Sequence, residues 1–297
     1  MGRVSRWLFR AAGRGAIAVA GGWFLLAVVA DSRPARPVVS FFNPPVRNLA
    51  HRGGSLLAPE ETLAAFAAAV RHDVDALEMD VHLSRDGELV VFHDRTLDRT
   101  TDGSGEVAGR SLAELRELNA GHRFRDREGR FAYRDDPVGI PTLTEVFAAH
   151  PGQRMVIEMK AAAAAAPLCE MIQRAGKSGE VLVGAFEQAA LDVFRELCPD
   201  VPTGAGFTEA AGFWGLSLLG LEGLFRAPAD ALLVSEGIGA IRVVTPRFLR
   251  AARRVRLPVI VWTVNRAEDM NRLLDLGVDG ILTDDPAALS DVLASRR

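Results

Sequence analysis

Hydrophobic and polar positions in this chain fall into a repeating rhythm once the first forty residues are passed. Short apolar runs stand at 46–50, 76–83, 89–93, 155–160, 181–186, 201–206, 231–235, 258–264 and 280–283, with amphipathic stretches such as "EETLAAFAAAVRH", "TLTEVFAAH" and "NRLLDLG" between several of them. Strand followed by helix, repeated, predicts an α/β fold with a parallel sheet under helices, and eight such units close into a (β/α)8 TIM barrel. Nine runs compete for eight places. One of them is therefore a hairpin partner, an insert or not a strand, and 89–93 and 201–206 fit a barrel place least well. The long polar stretch 98–141, rich in Gly and Arg, reads as an insertion on the barrel rim, where functional loops of this length belong.

The N-terminus breaks the rhythm. "MGRVSRWLFRAAGR" carries Arg3, Arg6, Arg10 and Arg14 without an acid, residues 16–30 are uncharged, and "DSRPARP" follows. A basic flank, an apolar run and a polar stop form a membrane-targeting signal. The run is longer than a signal-peptide core needs and shorter than the roughly 20 residues of a spanning helix, so a signal anchor and a signal peptide ending near Ala30 are both open. The expected organisation is a targeting segment plus linker at 1–37 and a barrel domain at 46–297. The barrel would be extracytoplasmic and anchored, or periplasmic or secreted if the segment is cleaved. A second apolar stretch, "AGFWGLSLLGLEGLFRAPADALLV" at 211–234, is either packed between strands or laid on a membrane. Membrane contact is expected through 16–30, and through 211–225 if that stretch meets lipid.

Composition adds bounds. With 297 residues, 48% hydrophobic and 25% charged, the chain can bury one full barrel core. A net charge of -3 and a pI near 6.1 exclude a general nucleic-acid binder, which would show a clustered basic surface. Cys169 and Cys198 suggest neither a zinc site nor a disulfide framework; they read as small core residues, with a single disulfide as the alternative. Lys160 and Lys177 are the only lysines among 35 basic residues, which marks Lys160 as placed rather than incidental.

The chemistry gathers at predicted strand ends. His51 and Arg52 close the first run, Glu78 and Asp80 stand two apart in the second, His93 and Asp94 close the third, and Glu158 and Lys160 close the fourth. Positions i and i+2 share one strand face, so Glu78 and Asp80 place two negative charges together and require a positive partner. Three carboxylates without a thiolate form a hard oxygen site suited to one divalent cation, Mg2+ or Ca2+. Arg52 and Lys160 suit an anionic substrate, and two histidines on different strands can serve as acid and base. The set reads as metal-assisted phosphodiester cleavage.

"AHRGGSLLAPEETLAAF", "LEMDVHLSRDGELVVFHDRTLDRTTDG", "LNAGHRF", "IPTLTEVF", "VIEMK", "VWTVN" and "DGILTDDP", in this order from about Leu49 to Pro286, resemble the glycerophosphodiester phosphodiesterase family. The resemblance implies that His51 and His93 are the acid/base pair and that Glu78, Asp80 and Glu158 hold the metal. It further implies that Arg52 and Lys160 contact phosphate, that Glu60 supports the first loop and that Trp262 lines the pocket near the alcohol. The N-terminal segment ahead of "HRGG" looks like the membrane-bound, lysophospholipase D-like branch, so a glycerophosphodiester or a lysophospholipid is the expected substrate. One departure stands out: where the family often has Pro-Glu-Asn-Thr, this chain has Pro59, Glu60, Glu61 and Thr62, and Glu61 is read as opening a helix, with tighter metal binding as the alternative. Among the remaining residues, Asp94 is read as orienting a loop, Asn265 and Asp284 as subsidiary, and His72, His82, His122 and His150 as surface or structural. His82 lies on the Glu78 and Asp80 face. A sphingomyelinase D or phosphoinositide phospholipase-like enzyme and a non-catalytic phosphodiester-binding protein remain as alternatives.

Overall fold

The computed structural model describes Trp23, residues 26–30 and residues 37–296. Strands β1 (Asn48–Ala50), β2 (Ala76–Leu83), β4 (Arg154–Met159), β5 (Val181–Ala185), β6 (Leu232–Ser235), β9 (Val259–Trp262) and β10 (Gly280–Thr283) pair in parallel in the order β5-β4-β2-β1-β10-β9-β6. Two isolated parallel bridges, Val183 to Thr203 and Gly204 to Ala231, carry the ladder from β5 round to the residue ahead of β6. The barrel closes with eight places, one of them held by residues 203 and 204 alone. The apolar run at 201–206 is thus a barrel place too short to form a strand. The run at 89–93 is the hairpin partner: β3 (Leu89–Val91) pairs antiparallel with β2, with Val81 opposite Val91. A second, two-stranded hairpin, β7 (Gly237–Ile238) with β8 (Ile241–Arg242), follows β6.

The strands are two-faced in a way that positions everything else. Leu77, Met79 and Val81 of β2 and Met155, Ile157 and Met159 of β4 point outward and pack, fully buried, beneath the helices Leu63–Val70, Leu143–Ala149 and Ala165–Arg174. The alternate residues face the barrel interior. Near the strand starts this inner face is apolar: Leu49, Ala76, Val156, Leu182, Ile260 and Leu282 form one cluster, plugged from below by Phe41 and Phe42. Arg154, the first residue of β4, ties that plug down by donating to Phe41 O at 3.0 Å and Pro44 O at 2.5 Å. One alternation higher, the same faces carry Glu78 and Glu158.

The stretch 98–141 is the rim insertion expected from the sequence, and it has a small core of its own. Leu97, Val107, Leu115, Ala120 and Ile140 pack under it on Val90 and Phe92 of the β3 hairpin. The short helix Leu112–Arg116 within it opens with a capping box between Ser111 and Glu114.

The apolar stretch at 211–234 is accounted for largely by packing. It forms most of the helix Phe207–Leu219 and the turn after it, in which Phe213 is fully buried with its ring 5.1 Å from Phe225 and 5.5 Å from Phe248. Leu218 and Leu219 remain exposed at its C-terminal end. The cysteines are both core residues and partners: Cys169 and Cys198 are buried and joined by a disulfide, with Cα atoms 5.7 Å apart. Most of the predicted targeting segment lies outside the described residues. Of it, Leu26–Ala30 are helical and Trp23 Nε1 donates to Leu219 O at 3.2 Å. Among the described residues no helix is long and apolar enough to cross a membrane.

Candidate active site

The site sits at the C-terminal mouth of the barrel, where the inner strand faces turn polar. The chain leaves β1 through a tight turn, His51–Gly53, in which Arg52 adopts the left-handed conformation at φ 51°. Such a conformation costs a non-glycine residue roughly 1–2 kcal/mol and signals an over-determined position. Here the strain turns the Arg52 N–H onto Glu78 Oε2 at 2.7 Å. Gly53 follows at φ 80°, and a side chain there would strike Phe66 at 2.8 Å. The turn can be this tight only because glycine follows arginine.

Parallel register then sets the carboxylates. Asp80 is the Cα partner of Glu158, and Glu78 lies one inward position below on β2. Glu78 and Asp80 are buried. Lys160, just past β4, places Nζ 2.7 Å from Asp80 Oδ1 and 2.5 Å from Glu158 Oε1. Burial would lower its pKa, but these two carboxylates outweigh that and hold the ammonium charged. The same lysine keeps Asp80 low against the upward pull of burial. Glu158 is pushed up by burial and by Asp80, with Lys160 offsetting part of the rise. Glu78 is pushed up to about 7 by burial and by Asp80.

Glu61 departs from its expected role. It stands in the turn ahead of the helix Leu63–Val70, at φ 61°, and Thr62 caps that helix by accepting from Ala65 N at 3.2 Å. The Glu61 carboxylate is buried, accepts from Asp80 N at 3.3 Å and is raised well above the usual carboxylate range by burial and by Asp80 and Glu78. It is a fourth acid of the cluster rather than a helix opener.

The two histidines meet at the mouth from different directions. His51 Nδ1 lies 2.6 Å from Asp284 Oδ1. Asp284 also accepts from Ser55 Oγ at 2.8 Å and Asn265 Nδ2 at 2.7 Å, while Asn265 Oδ1 receives the Asp284 N–H at 2.9 Å. Burial lowers the His51 pKa, but the Asp284 hydrogen bond and the charges of Glu78 and Asp284 outweigh it, leaving His51 above its ordinary value. His93 is delivered by the hairpin: Phe92 N donates to Asp80 O at 2.9 Å and His82 Nε2 meets His93 O at 3.2 Å. His93 Nδ1 lies 2.6 Å from Asp94 Oδ1. Burial, aided by Lys160 and Arg52, holds His93 below its ordinary value against the pull of Asp80 and Asp94. One imidazole is thus biased toward the protonated form and the other toward the neutral form.

Trp262, the last residue of β9, packs edge-on against Phe186 with ring centroids 6.3 Å apart. With Ser235, Glu236, Val264, Asn265 and Asp269 it lines a cavity of about 400 Å³. Asn265 joins that cavity to the His51 network. Glu60 accepts from Arg52 Nη1 at 2.9 Å, consistent with support of the first loop.

The structure therefore brings together His51, Arg52, Glu60, Glu78, Asp80, His93, Glu158 and Lys160, with Trp262 on the neighbouring wall. Asp94 meets both the rim insertion, through Arg99, and His93 Nδ1, and Asp284 rises from a subsidiary residue to the partner of His51, with Asn265 holding Asp284. The structure adds Arg99, which no strand-end rule pointed to.

Three carboxylates with no thiolate, and Asp80 Oδ2 buried without a hydrogen-bond partner, make a donor set that fits a hard divalent cation. Among the described residues no three acidic or histidine side chains already converge as ligands; Lys160 bridges Asp80 and Glu158 instead.

An α/β barrel with an anion-seeking guanidinium and ammonium, an acid cluster and two differently tuned histidines at its mouth has the make-up of a hydrolase for a phosphorylated substrate. Residues 51–288 match the glycerophosphoryl diester phosphodiesterase family, and the chain belongs to it. A glycerophosphodiester phosphodiesterase of Caldanaerobacter subterraneus subsp. tengcongensis is 32% identical over 256 residues, 82% of this chain and 96% of its own. A probable glycerophosphodiester phosphodiesterase of Mycobacterium tuberculosis is 31% identical over 255 residues, 84% of this chain and 90% of its own. Among solved structures, the glycerophosphoryl diester phosphodiesterase domain of an uncharacterised M. tuberculosis protein shares the fold with a TM-score of 0.73 at 20% identity, covering 83% of this chain and 98% of that one. An Oleispira antarctica phosphodiesterase, solved with its product sn-glycerol-3-phosphate, has a TM-score of 0.69 at 25% identity over 85% of this chain and 98% of its own.

Proposed function

We propose that this chain hydrolyses glycerophosphodiesters to an alcohol and a glycerol phosphate, with His51 and His93 as its acid/base pair. One observation carries the reading. Arg52 and Lys160 converge on the buried carboxylate of Asp80, with Arg52 Nε 3.9 Å from Oδ2 and Lys160 Nζ 2.7 Å from Oδ1, so two cations and a cluster of buried acids are held together at the mouth with His51 and His93. Buried charge is expensive unless it is matched, so such a cluster is kept for a charged ligand. A phosphoryl oxygen would satisfy the guanidinium and ammonium, and a cation would satisfy the carboxylates.

Glu78, Asp80 and Glu158 would hold one divalent cation, Mg2+ or Ca2+, which when bound supplies Lewis-acid polarisation of the phosphoryl oxygens. Arg52 and Lys160 supply fixed positive charge for the phosphate. His93, biased neutral, takes the proton of the glycerol hydroxyl next to the phosphate as that oxygen attacks phosphorus. His51, biased protonated, gives its proton to the leaving alcohol oxygen. Water then opens the cyclic phosphate with the two roles reversed. Trp262 and the cavity beside it receive the alcohol. Lysophosphatidylcholine, giving lysophosphatidic acid, is the second substrate to try, favoured by the exposed Phe186 ring against Trp262.

The disulfide joining Cys169 to Cys198 favours an oxidising compartment, which agrees with export of the barrel by the N-terminal segment. The test is choline release from glycerophosphocholine and lysophosphatidylcholine by a truncated form starting at Val38, with Mg2+, Ca2+ or EDTA, beside His51→Ala. Metal-dependent release abolished by the substitution is expected. A folded, cation-binding protein that turns over neither diester would overturn the reading in favour of a binding role.

A further inference from the structure

Two carboxylates flanking the reactive set, Glu60 and Asp94, are clasped by one guanidinium. Arg99, at the end of the 3-10 turn Leu97–Arg99 within the rim insertion, donates through Nε to Asp94 Oδ2 at 2.6 Å and through Nη2 to Asp94 Oδ1 at 3.2 Å. Its other edge donates through Nη1 to Glu60 Oε2 at 2.8 Å and through Nη2 to Glu60 Oε1 at 2.6 Å. Each acid has one more partner on the far side. Glu60 Oε1 accepts from Arg52 Nη1 at 2.9 Å, and Asp94 Oδ1 meets His93 Nδ1 at 2.6 Å. The groups form one unbroken chain, Arg52–Glu60–Arg99–Asp94–His93.

We propose that Arg99 is a positioning residue that fixes the phosphate-binding guanidinium of Arg52 and the imidazole of His93 relative to each other. Seating of the phosphate and transfer of the proton then depend on one arginine that touches neither substrate nor reacting atom. The proposal rests on the function given above. Half-exposed ion pairs ordinarily contribute little; a guanidinium engaged bidentately at both edges is the exception, because its planar fork fixes two carboxylates in direction as well as distance. A lysine cannot do this. For His93 to accept a proton on Nε2, Nδ1 must carry hydrogen and point at an ionised acceptor. Asp94 is that acceptor, and Arg99 with His93 holds it down to about 2 despite burial. On the other branch, Glu60 can steer Arg52 only if its own carboxylate is steered, and Arg99 grips both of its oxygens.

The bland rival is that Arg99 merely staples the rim insertion to the barrel. Arg95 gives the control, since its side chain, one residue past Asp94, pairs with Glu106 of the insertion at 2.7 Å, largely exposed, and shares no partner with the chain of contacts. The experiment compares Arg99→Gln, Arg99→Lys and Arg95→Ala in the full-length protein. It measures kcat and KM on glycerophosphocholine with the activating cation, the Kd of sn-glycerol 3-phosphate by calorimetry, and the melting temperature. Arg99→Gln is expected to lower kcat on the order of 10- to 100-fold, the usual range for residues that orient a reactive group, and to raise both KM and Kd several-fold. Arg99→Lys recovers part of this and Arg95→Ala changes nothing. A lower melting temperature with kcat, KM and Kd within about twofold of wild type would overturn the proposal. Should Arg99→Gln not fold, Glu60→Gln and Asp94→Asn are made singly and together: a relay makes the double variant no worse than the worse single one, whereas multiplying defects would refute it. An inactive wild type would sink the function reading itself, an outcome separate from either.

Discussion

The floor and the mouth of the barrel are built from the same strand faces and behave as opposites. At the floor, Leu49, Ala76, Val156, Leu182, Ile260 and Leu282 interlock over Phe41 and Phe42 with no polar group among them. Two residues further along the same strands, Glu78 and Glu158 take over, and Asp80, Lys160, His51 and His93 follow. The floor is held by packing, with the plug's backbone tied down by Arg154. The mouth is left with a raised Glu78, a raised Glu61 and unpartnered atoms on Arg52 and Asp80. A strand that changes character within one alternation separates what stabilises the barrel from what it is for.

The sharpest way to break that separation is to remove the acid/base group. His93→Ala should lower kcat/KM by about 10²- to 10⁴-fold, the range for general acid–base catalysis, while the melting temperature measured by calorimetry stays put. Phe41→Ala should do the reverse. Phe41 is fully buried, so its truncation should lower stability by about 3–5 kcal/mol in urea titrations, with kcat of the folded fraction unchanged.

Glu78→Gln tests whether the mouth is under electrostatic stress. Glu78 sits at about 7 rather than its ordinary 4.5, so the folded state holds its proton more tightly than the unfolded state. The stability of the cation-free protein should therefore fall as pH rises from about 5 to 7, by on the order of 1–3 kcal/mol. In the Gln variant that slope should flatten, and the melting-temperature gain on adding Mg2+ or Ca2+ should disappear. Equal slopes in both proteins would contradict it.

Asp284→Asn is the gentlest. Asp284 is held down to about 2 because the His51, Asn265 and Ser55 contacts outweigh burial. Its contribution, at most about 2 kcal/mol, is present above its ordinary 3.8 and lost as pH falls through about 2. Replacing it should lower stability at pH 7 and leave it unchanged near pH 2. It should also move the basic limb of the pH–rate profile to lower pH, because His51 loses the partner that raises it.

Much of this was legible in the chain. A two-residue period is a local signal, so Glu78 and Asp80 announced a shared face, and strand-end positions announced His51, His93, Glu158 and Lys160. What stayed hidden depends on closure. Asp284 reaches His51 only because the last strand pairs with the first, with Leu282 beside Leu49, across more than two hundred residues. Arg99 sits in an insertion whose packing has no period to read. Glu61 looked like a helix opener because acids favour first turns, but Thr62 already held the cap. The Cys169 to Cys198 link required knowing that the helices Ala165–Arg174 and Gln188–Leu197 lie side by side. The barrel place at 203 and 204 showed as the apolar run 201–206, but its two bridging residues are too few to form the strand that the run suggested.

The aromatic plug gives the molecule a direction. Phe41 and Phe42 enter from the strand-start end, and Ser40 Oγ donates to Gly179 O at 3.2 Å, just ahead of β5. Residues 40–42 therefore stopper the barrel at the end opposite the mouth, like a cork in the base of a cup, and trimming past Phe41 would open that base.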